Sequence, residues 1–196
     1  VFKKFSNPGI LVHGVSLKPG KPLCLAVLEG TPAAILPGFP ASATFTFTKF
    51  IDPILRAMSG QPPEQKITIK ASVPSRLNSD KGRTEFHLVH LVRKAEGFRA
   101  YSTGKGSGSI TGFARADGFM EIPRNTEMIE ASQDVTIHLL GEATRPPDLM
   151  FIGSHCVGLD YLMGEMQKLG VLCRFLSVGS MGGVMAAKRG ECDISG

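Results

Sequence analysis

The sequence has few of the residues and motifs that define simple functional classes. Its 196 residues include no tryptophan, two tyrosines and four cysteines, and the cysteines show neither CxxC spacing nor a compact disulfide framework. No apolar run is long enough for a transmembrane helix, and no signal peptide is recognisable. HExxH, GxSxG and Walker motifs are also missing. These absences favour a globular, cytosolic chain with reduced thiols at Cys24, Cys156, Cys173 and Cys192.

The positive charge is concentrated at the start of the chain. The net charge is +5, and Lys and Arg outnumber Asp and Glu by 6 to 2 in residues 1–61 and by 12 to 11 in 62–148, whereas the counts are equal, at 4 each, in 149–196. No stripe of basic residues alternates with aromatics, so nucleic acid is not a predicted partner. The uneven charge favours a small anionic ligand near the first third of the chain.

The stretch from Lys18 to Met58 carries the clearest motif order. A KPGKP loop at residues 18–22 precedes two short apolar runs, and an LPGFP turn at residues 36–40 leads into an apolar-periodic segment. This order predicts a strand pair, a tight turn and a helix N-terminus, whose free N–H groups favour anions. With Lys18 and Lys21 nearby, we predict an oxyanion or phosphate site, although a merely rigid surface turn is an equally weighted alternative.

The segment after Pro40 predicts one helix with a single apolar face. Ser42 or Thr44 is the predicted cap, and Pro53 is expected to kink the helix because it removes a backbone donor. The helical spacing of the apolar residues predicts that they form core: Phe47, Phe50, Ile51, Ile54, Leu55 and Met58.

Residues 62–145 have the pattern of a small β-domain. Five alternating or apolar runs separated by turn clusters predict a β-barrel or sandwich. Within it, the glycine-rich loop at 104–109 lacks a βαβ context, so we reject a dinucleotide-binding site; Ser107 is either an anion contact or part of a hairpin tip. Arg83 and Glu85 share a strand face and predict an exposed ion pair.

The last part, residues 146–196, predicts a different architecture. Its strands and helices alternate as βαβαβ, which implies a parallel sheet. Ser154 and Ser180 each lie in a turn from a strand to a helix, where hydroxyls and helix N-termini could bind an oxyanion. The fold class is therefore α/β plus β.

The motifs resemble those of MoeA-type molybdopterin molybdotransferases over about residues 9–141. The KPGKP and LPGFP motifs match landmarks of the molybdopterin-binding α/β domain, although Phe39 stands where the common motif has Asn. GRTEF at 82–86, the glycine-rich loop and ADG at 116–118 resemble landmarks of the following β-barrel. The final segment resembles the first lobe of a periplasmic-binding-protein-like module fused behind MoeA. The resemblance thus implies that residues 1–61 are the C-terminal part of the α/β domain, followed by the barrel and a truncated lobe.

The resemblance implies a role in molybdenum cofactor biosynthesis. The full-length enzyme would insert molybdate into adenylylated molybdopterin with Mg²⁺ and release AMP. It would be a cytoplasmic homodimer whose metal ligands lie upstream of Val1, and this fragment alone is expected to be inactive. The implied residues are Lys18 and Lys21 for catalysis, with Pro37, Gly38, Phe39, Pro40, Ser42 and Ser107 for the cofactor. The alternative is a non-catalytic sensor of molybdate or another oxyanion.

Overall fold

The first unit of the chain is a three-stranded antiparallel sheet. The computed structural model describes residues 7–94, 97–103, 110–140 and 147–196. Strands β1 (Gly9–His13), β3 (Cys24–Leu28) and β4 (Thr31–Ile35) lie in the order β1-β3-β4. The β3–β4 hairpin turns at Glu29 and Gly30, whose φ angles of 49° and 82° suit a two-residue turn of type I′. The predicted strand pair is confirmed.

The helical segment is interrupted rather than continuous. Helix α1 (Pro40–Thr46) is followed by a π-helical turn (Phe47–Ile51) and then by helix α2 (Asp52–Met58). The amide of Asp52 donates to the carbonyl of Phe47, five residues earlier, and Pro53 lies in the first turn of α2. The predicted irregularity near Pro53 therefore takes the form of a π turn immediately before it.

The predicted helix cap is wrong. The cap residue is Phe39, which makes no side-chain capping bond, and Pro40 starts the helix because its fixed φ suits the first turn. Ser42 is buried inside α1, and the Thr44 hydroxyl donates back to the Pro40 carbonyl at 3.0 Å.

The prediction that the apolar face of this segment forms part of the core is also wrong. Phe50 packs partly buried against the β-domain, but Phe47 is 37% exposed and Met58 is 70% exposed. Ile54 and Leu55 are likewise about half exposed, at 48% each. The π turn adds one residue to the helical winding, so residues before and after it no longer share one 3.6-residue face.

The middle of the chain forms a closed five-stranded barrel. Its strands are β5 (Thr68–Ser72), β7 (Thr84–Arg93), β8 (Phe98–Ser102), β9 (Gly118–Ile122) and β11 (Asp134–Leu139). They follow the order β7-β8-β5-β11-β9, and pairing of β7 with β9 closes the ring. Two short strands, β6 (Leu77–Asn78) and β10 (Met128–Ile129), pair beside it, and helix α3 spans Ile110–Arg115. The predicted small barrel is confirmed.

Strand β7 connects the barrel to the first unit. Strand β2 (Leu17–Lys18) adds to β7 in parallel, with Leu17 opposite Thr84. Alternate side chains of β7 serve two clusters, because Val89 belongs to the barrel core whereas Phe86 packs against α1. The rings of Phe45 and Phe86 stack with centroids 4.8 Å apart, so α1 is fixed on the outer face of the barrel.

The C-terminal unit is a parallel sheet with two helices. Strands β12 (Leu149–Gly153), β13 (Cys173–Ser177) and β14 (Ile194–Ser195) lie in the order β13-β12-β14. Helices α4 (Val157–Lys168) and α5 (Gly179–Lys188) connect them. Both pairings are parallel, which agrees with the βαβαβ pattern of the sequence.

The C-terminal unit packs directly on the barrel. Val92 and Tyr101 of the barrel share a buried apolar cluster with residues of the sheet and α5: Met150, Ile152, Leu176 and Ala186. Glu191 forms ion pairs with Arg99 of β8 at 2.7 Å and with Arg189 at 2.8 Å. The two parts therefore share both apolar and charged contacts.

In the described part of the chain, no helix combines the length and hydrophobicity that spanning a membrane would need.

Candidate functional site

A cleft lies where the KPGKP loop, α1 and the start of β7 meet. Its volume is about 240 Å³. It is lined by the loop and β2 residues 17–22, by Ala41, Ser42 and Phe45 of α1, and by Arg83 and residues 85–88 around β7. The cleft therefore joins Lys18, Lys21 and Ser42, which the sequence singled out, with Arg83 and Glu85, which it assigned to an exposed ion pair, and with His87.

The loop is folded tightly against α1. The Lys18–Pro19 peptide is cis, and Gly20 has a φ of +127°, which side chains other than glycine rarely allow. A Cβ on Gly20 would lie 2.7 Å from the Cγ2 methyl of Thr46. The glycine of KPGKP thus serves a specific close approach between the loop and the helix.

Lys18 is held between two carboxylates. Pairing of β2 with β7 places Lys18 opposite Glu85, and its Nζ lies 3.0 Å from Glu85 Oε1 and 2.5 Å from Asp80 Oδ2. The hydrogen bond to Asp80 is the main cause that raises the pKa of Lys18. In the absence of a ligand, the Lys18 ammonium is therefore already paired.

Glu85 is a buried carboxylate and not half of an exposed ion pair with Arg83. Its side chain is 1% exposed, and its Oε2 is 2.8 Å from His87 Nε2. Burial raises the pKa of Glu85, but hydrogen bonds from His87, the Asp80 amide and Lys18 outweigh burial and lower the pKa to about 2. The exposed ion pair predicted from the shared strand face is wrong, because residue 85 faces inward beside His87, two residues along the same face.

The edge of β7 beside the cleft is paired with its neighbours, and two cations lie at the rim. The Thr84 amide donates a hydrogen bond to the backbone carbonyl of Ser16 at 2.9 Å. The Leu88 carbonyl accepts one from the Thr103 amide at 2.9 Å. Alternate residues of a strand direct their backbone groups to the same edge, and the parallel register that places Lys18 opposite Glu85 pairs the N–H of Phe86 with the Lys18 carbonyl. Lys21 and Arg83 add two exposed cations at the rim. A tetrahedral oxyanion would find both cations here.

The LPGFP turn lies outside the lining of this cleft. Pro37 is buried, whereas Gly38 and Phe39 are exposed, Phe39 by 62%. Pro40 begins α1, and the next residues, Ala41 and Ser42, are those that reach the cleft. The cofactor roles of residues 37–40 stay predictions, and Ser107 lies outside the described residues.

The two serines predicted in the C-terminal unit come together. Ser154 follows β12 and Ser180 lies in the first turn of α5, and their hydroxyl oxygens are 2.7 Å apart. Both are exposed at the carboxyl edge of the parallel sheet, where ligands of such sheets bind. The sequence alone could not predict that the two hydroxyl groups are in contact, because 26 positions separate the two serines.

No residue here is assigned to Mg²⁺. Among the described residues, no group of three or more His, Cys, Asp or Glu side chains could hold a metal ion. His87 is bonded to Glu85, and His90 lies 4.0 Å from Asp117 with a pKa lowered mainly by burial.

Comparison with known proteins gives a consistent result. Residues 70–140 match the family model described as the MoeA C-terminal region, domain IV. A molybdopterin molybdenumtransferase of Nostoc sp. is 29% identical over 135 residues, which are 65% of this chain and 31% of that protein. Molybdopterin molybdenumtransferase 2 of Mycobacterium tuberculosis is 29% identical over 129 residues, 66% of this chain and 32% of that protein.

Solved structures agree with the sequence relatives. Two structures of molybdopterin biosynthesis MoeA proteins from Pyrococcus horikoshii match with TM-scores of 0.55 and 0.53 and identities of 34% and 28%. They align with 68% and 66% of this chain and with 32% of each of those chains. The chain spans about a third of the length of the curated relatives it matches. Residues 70–140 thus correspond to the MoeA C-terminal region, and about two thirds of the chain is similar to MoeA proteins in sequence and fold.

Proposed function

We propose that this chain is part of a molybdopterin molybdotransferase that acts in molybdenum cofactor biosynthesis. The observation that carries the proposal is the cleft between the KPGKP loop, α1 and β7, in a chain similar to molybdopterin molybdenumtransferases. The substrates are adenylylated molybdopterin, which carries anionic phosphate groups, and molybdate, which is an oxyanion, and AMP is the released product.

The residues of the cleft position charge rather than form bonds. Lys21 and Arg83 attract the phosphate or molybdate, Lys18 contributes a third cation, and the Ser42 side chain lines the cleft beside them. Such fixed donors contribute most where negative charge is concentrated in the transition state. Mg²⁺, bound by residues outside this chain, would neutralise phosphate charge during transfer. The assembly is a cytoplasmic homodimer in this proposal.

The test is calorimetric titration of the chain with molybdopterin and with molybdate. We expect Lys18→Ala combined with Lys21→Ala to weaken binding by a factor of about 10 to 100, since each charge-assisted contact contributes roughly 1 kcal/mol or more. Lys168→Ala is the matched control, because Lys168 is 72% exposed on α4 and pairs only locally with Glu165 in the described contacts. Unchanged binding in the double variant would contradict the assignment of the cleft.

A second candidate function is an oxyanion sensor that does not catalyse transfer. It is favoured by one observation, the convergence of Ser154 and Ser180 at the carboxyl edge of the parallel sheet. In this proposal the C-terminal unit is the first lobe of a periplasmic-binding-protein-like module. Molybdate binding that is lost in Ser154→Ala with Ser180→Ala, yet kept in the double lysine variant, would favour the sensor over the transferase.

A further inference from the structure

The two carboxylates that pair with Lys18 differ sharply in their surroundings. Glu85 is 1% exposed, whereas the Asp80 side chain is 49% exposed and lies in the turn between β6 and β7. The Lys18 side chain, at 31% exposure, lies between them and lines the cleft. One partner of the ammonium is therefore fixed in the protein, and the other faces water.

Glu85 is fixed by donors from three separate segments. Its Oε1 accepts from the Asp80 amide at 2.9 Å and lies 3.0 Å from Lys18 Nζ, while Oε2 is 2.8 Å from His87 Nε2. A buried carboxylate that loses such partners is strongly disfavoured, so Glu85 keeps its position. The carboxylate of Asp80 has no comparable enclosure, and exposed ion pairs of this kind are weak.

An anion that binds Lys18 must compete with Asp80 for the same ammonium group. Two carboxylates already surround one ammonium, and Lys21 and Arg83 are the further cations that line the cleft. A dianionic oxyanion that contacts the Lys18 ammonium would lie close to the Asp80 carboxylate, which contacts the same group. The two negative charges would repel each other. Release of Asp80 toward solvent removes that repulsion at little cost.

We propose that Asp80 is a displaceable internal counter-ion of Lys18, which a tetrahedral oxyanion replaces, while buried Glu85 acts as the positioning residue that keeps the ammonium at the cleft. This inference rests on the proposed oxyanion-binding function of the cleft. It predicts that Asp80 weakens anion binding and that Glu85 strengthens it, although both carboxylates contact the same Lys18 nitrogen atom.

The test measures the affinity of the chain for inorganic phosphate and for molybdate by calorimetry. Asp80→Asn should tighten binding about two- to fivefold, because it removes a weak competitor from Lys18. Glu85→Gln should weaken binding about tenfold, although it also removes a negative charge, because Lys18 loses its fixed partner. Glu130→Gln, an exposed carboxylate on another barrel turn outside the cleft, is the control and should leave both affinities unchanged.

Separate outcomes distinguish the failure of this inference from that of the function. If binding depends on Lys18 and Lys21 but Asp80→Asn binds no more tightly than wild type, Asp80 is not a competitor and the inference is overturned alone. If wild type binds neither anion, or if the lysine variant binds normally, the proposed function fails and the inference fails with it. Asp80→Asn decides the question even if Glu85→Gln does not fold, since Asp80 is exposed. A gain for phosphate but not molybdate would identify phosphate as the replaced ligand.

Discussion

Removal of the Glu191 carboxylate should destabilise the contact between the barrel and the C-terminal unit. Glu191 is 1% exposed and pairs with Arg99 and Arg189, and it also accepts a hydrogen bond from Tyr101. Arg99 is itself only 11% exposed, so Glu191→Ala leaves a largely buried guanidinium without its counter-ion. Breaking a buried ion pair from one side costs about 3–5 kcal/mol.

Thermal unfolding followed by circular dichroism measures this effect. For a chain of this length, 1 kcal/mol corresponds to roughly 2–4 °C in Tm, so Glu191→Ala should lower Tm by about 10 °C. The control is Glu165→Ala, which breaks an exposed pair with Lys168 and should change the free energy of unfolding by less than about 0.5 kcal/mol. A loss below about 1 kcal/mol for Glu191→Ala would refute the view that this network holds the two units together.

Two further predictions concern the cleft. Gly20→Ala should cost about 1–3 kcal/mol of unfolding free energy in chemical denaturation, because Gly20 has a φ of +127° and its Cβ would lie 2.7 Å from Thr46. Gly38→Ala, which meets open space, should cost less than about 1 kcal/mol, and equal losses would contradict the steric reason. Because the folded pKa of Glu85 is lowered to about 2, its stabilisation is present above the ordinary value of 4.5 and is lost as the pH falls toward 2. The stability difference between wild type and Glu85→Gln should shrink over that pH range, and a constant difference would show that titration of Glu85 does not contribute.

The sequence predicted the elements of the barrel well, because its strands have simple patterns. The structure has strands at Phe98–Ser102 and at Thr68–Ser72, two of the runs that the sequence marks as strands. The βαβαβ order of the C-terminal unit was equally readable, since buried parallel strands appear as continuous apolar runs between helices. The local pattern of apolar residues was sufficient to predict an element wherever that element packs through one regular face.

Pattern failed where packing is set by partners distant in sequence. The spacing of Phe47 and Met58 fits one helical face, but the π turn and the exposed position of α2 leave that face largely in water. Likewise, Glu85 looks like a surface residue beside Arg83, since charged side chains are seldom buried. Its burial depends on Lys18, which lies 67 positions away and arrives only through the parallel pairing of β2 with β7.

The same pairing explains why the cleft exists at all. Strand β2 has only two residues, yet it occupies one edge of β7 as far as Glu85, while β8 pairs with β7 only from Val89 onward. Between these two neighbours, the edge of β7 is left without a paired strand, and the KPGKP loop and α1 cover it. Loop, helix and barrel edge must therefore assemble together to form the cleft. A change that displaces β2 should therefore move Lys18 away from Glu85 and disrupt the cleft, because β2 and the loop that follows it form one of its walls.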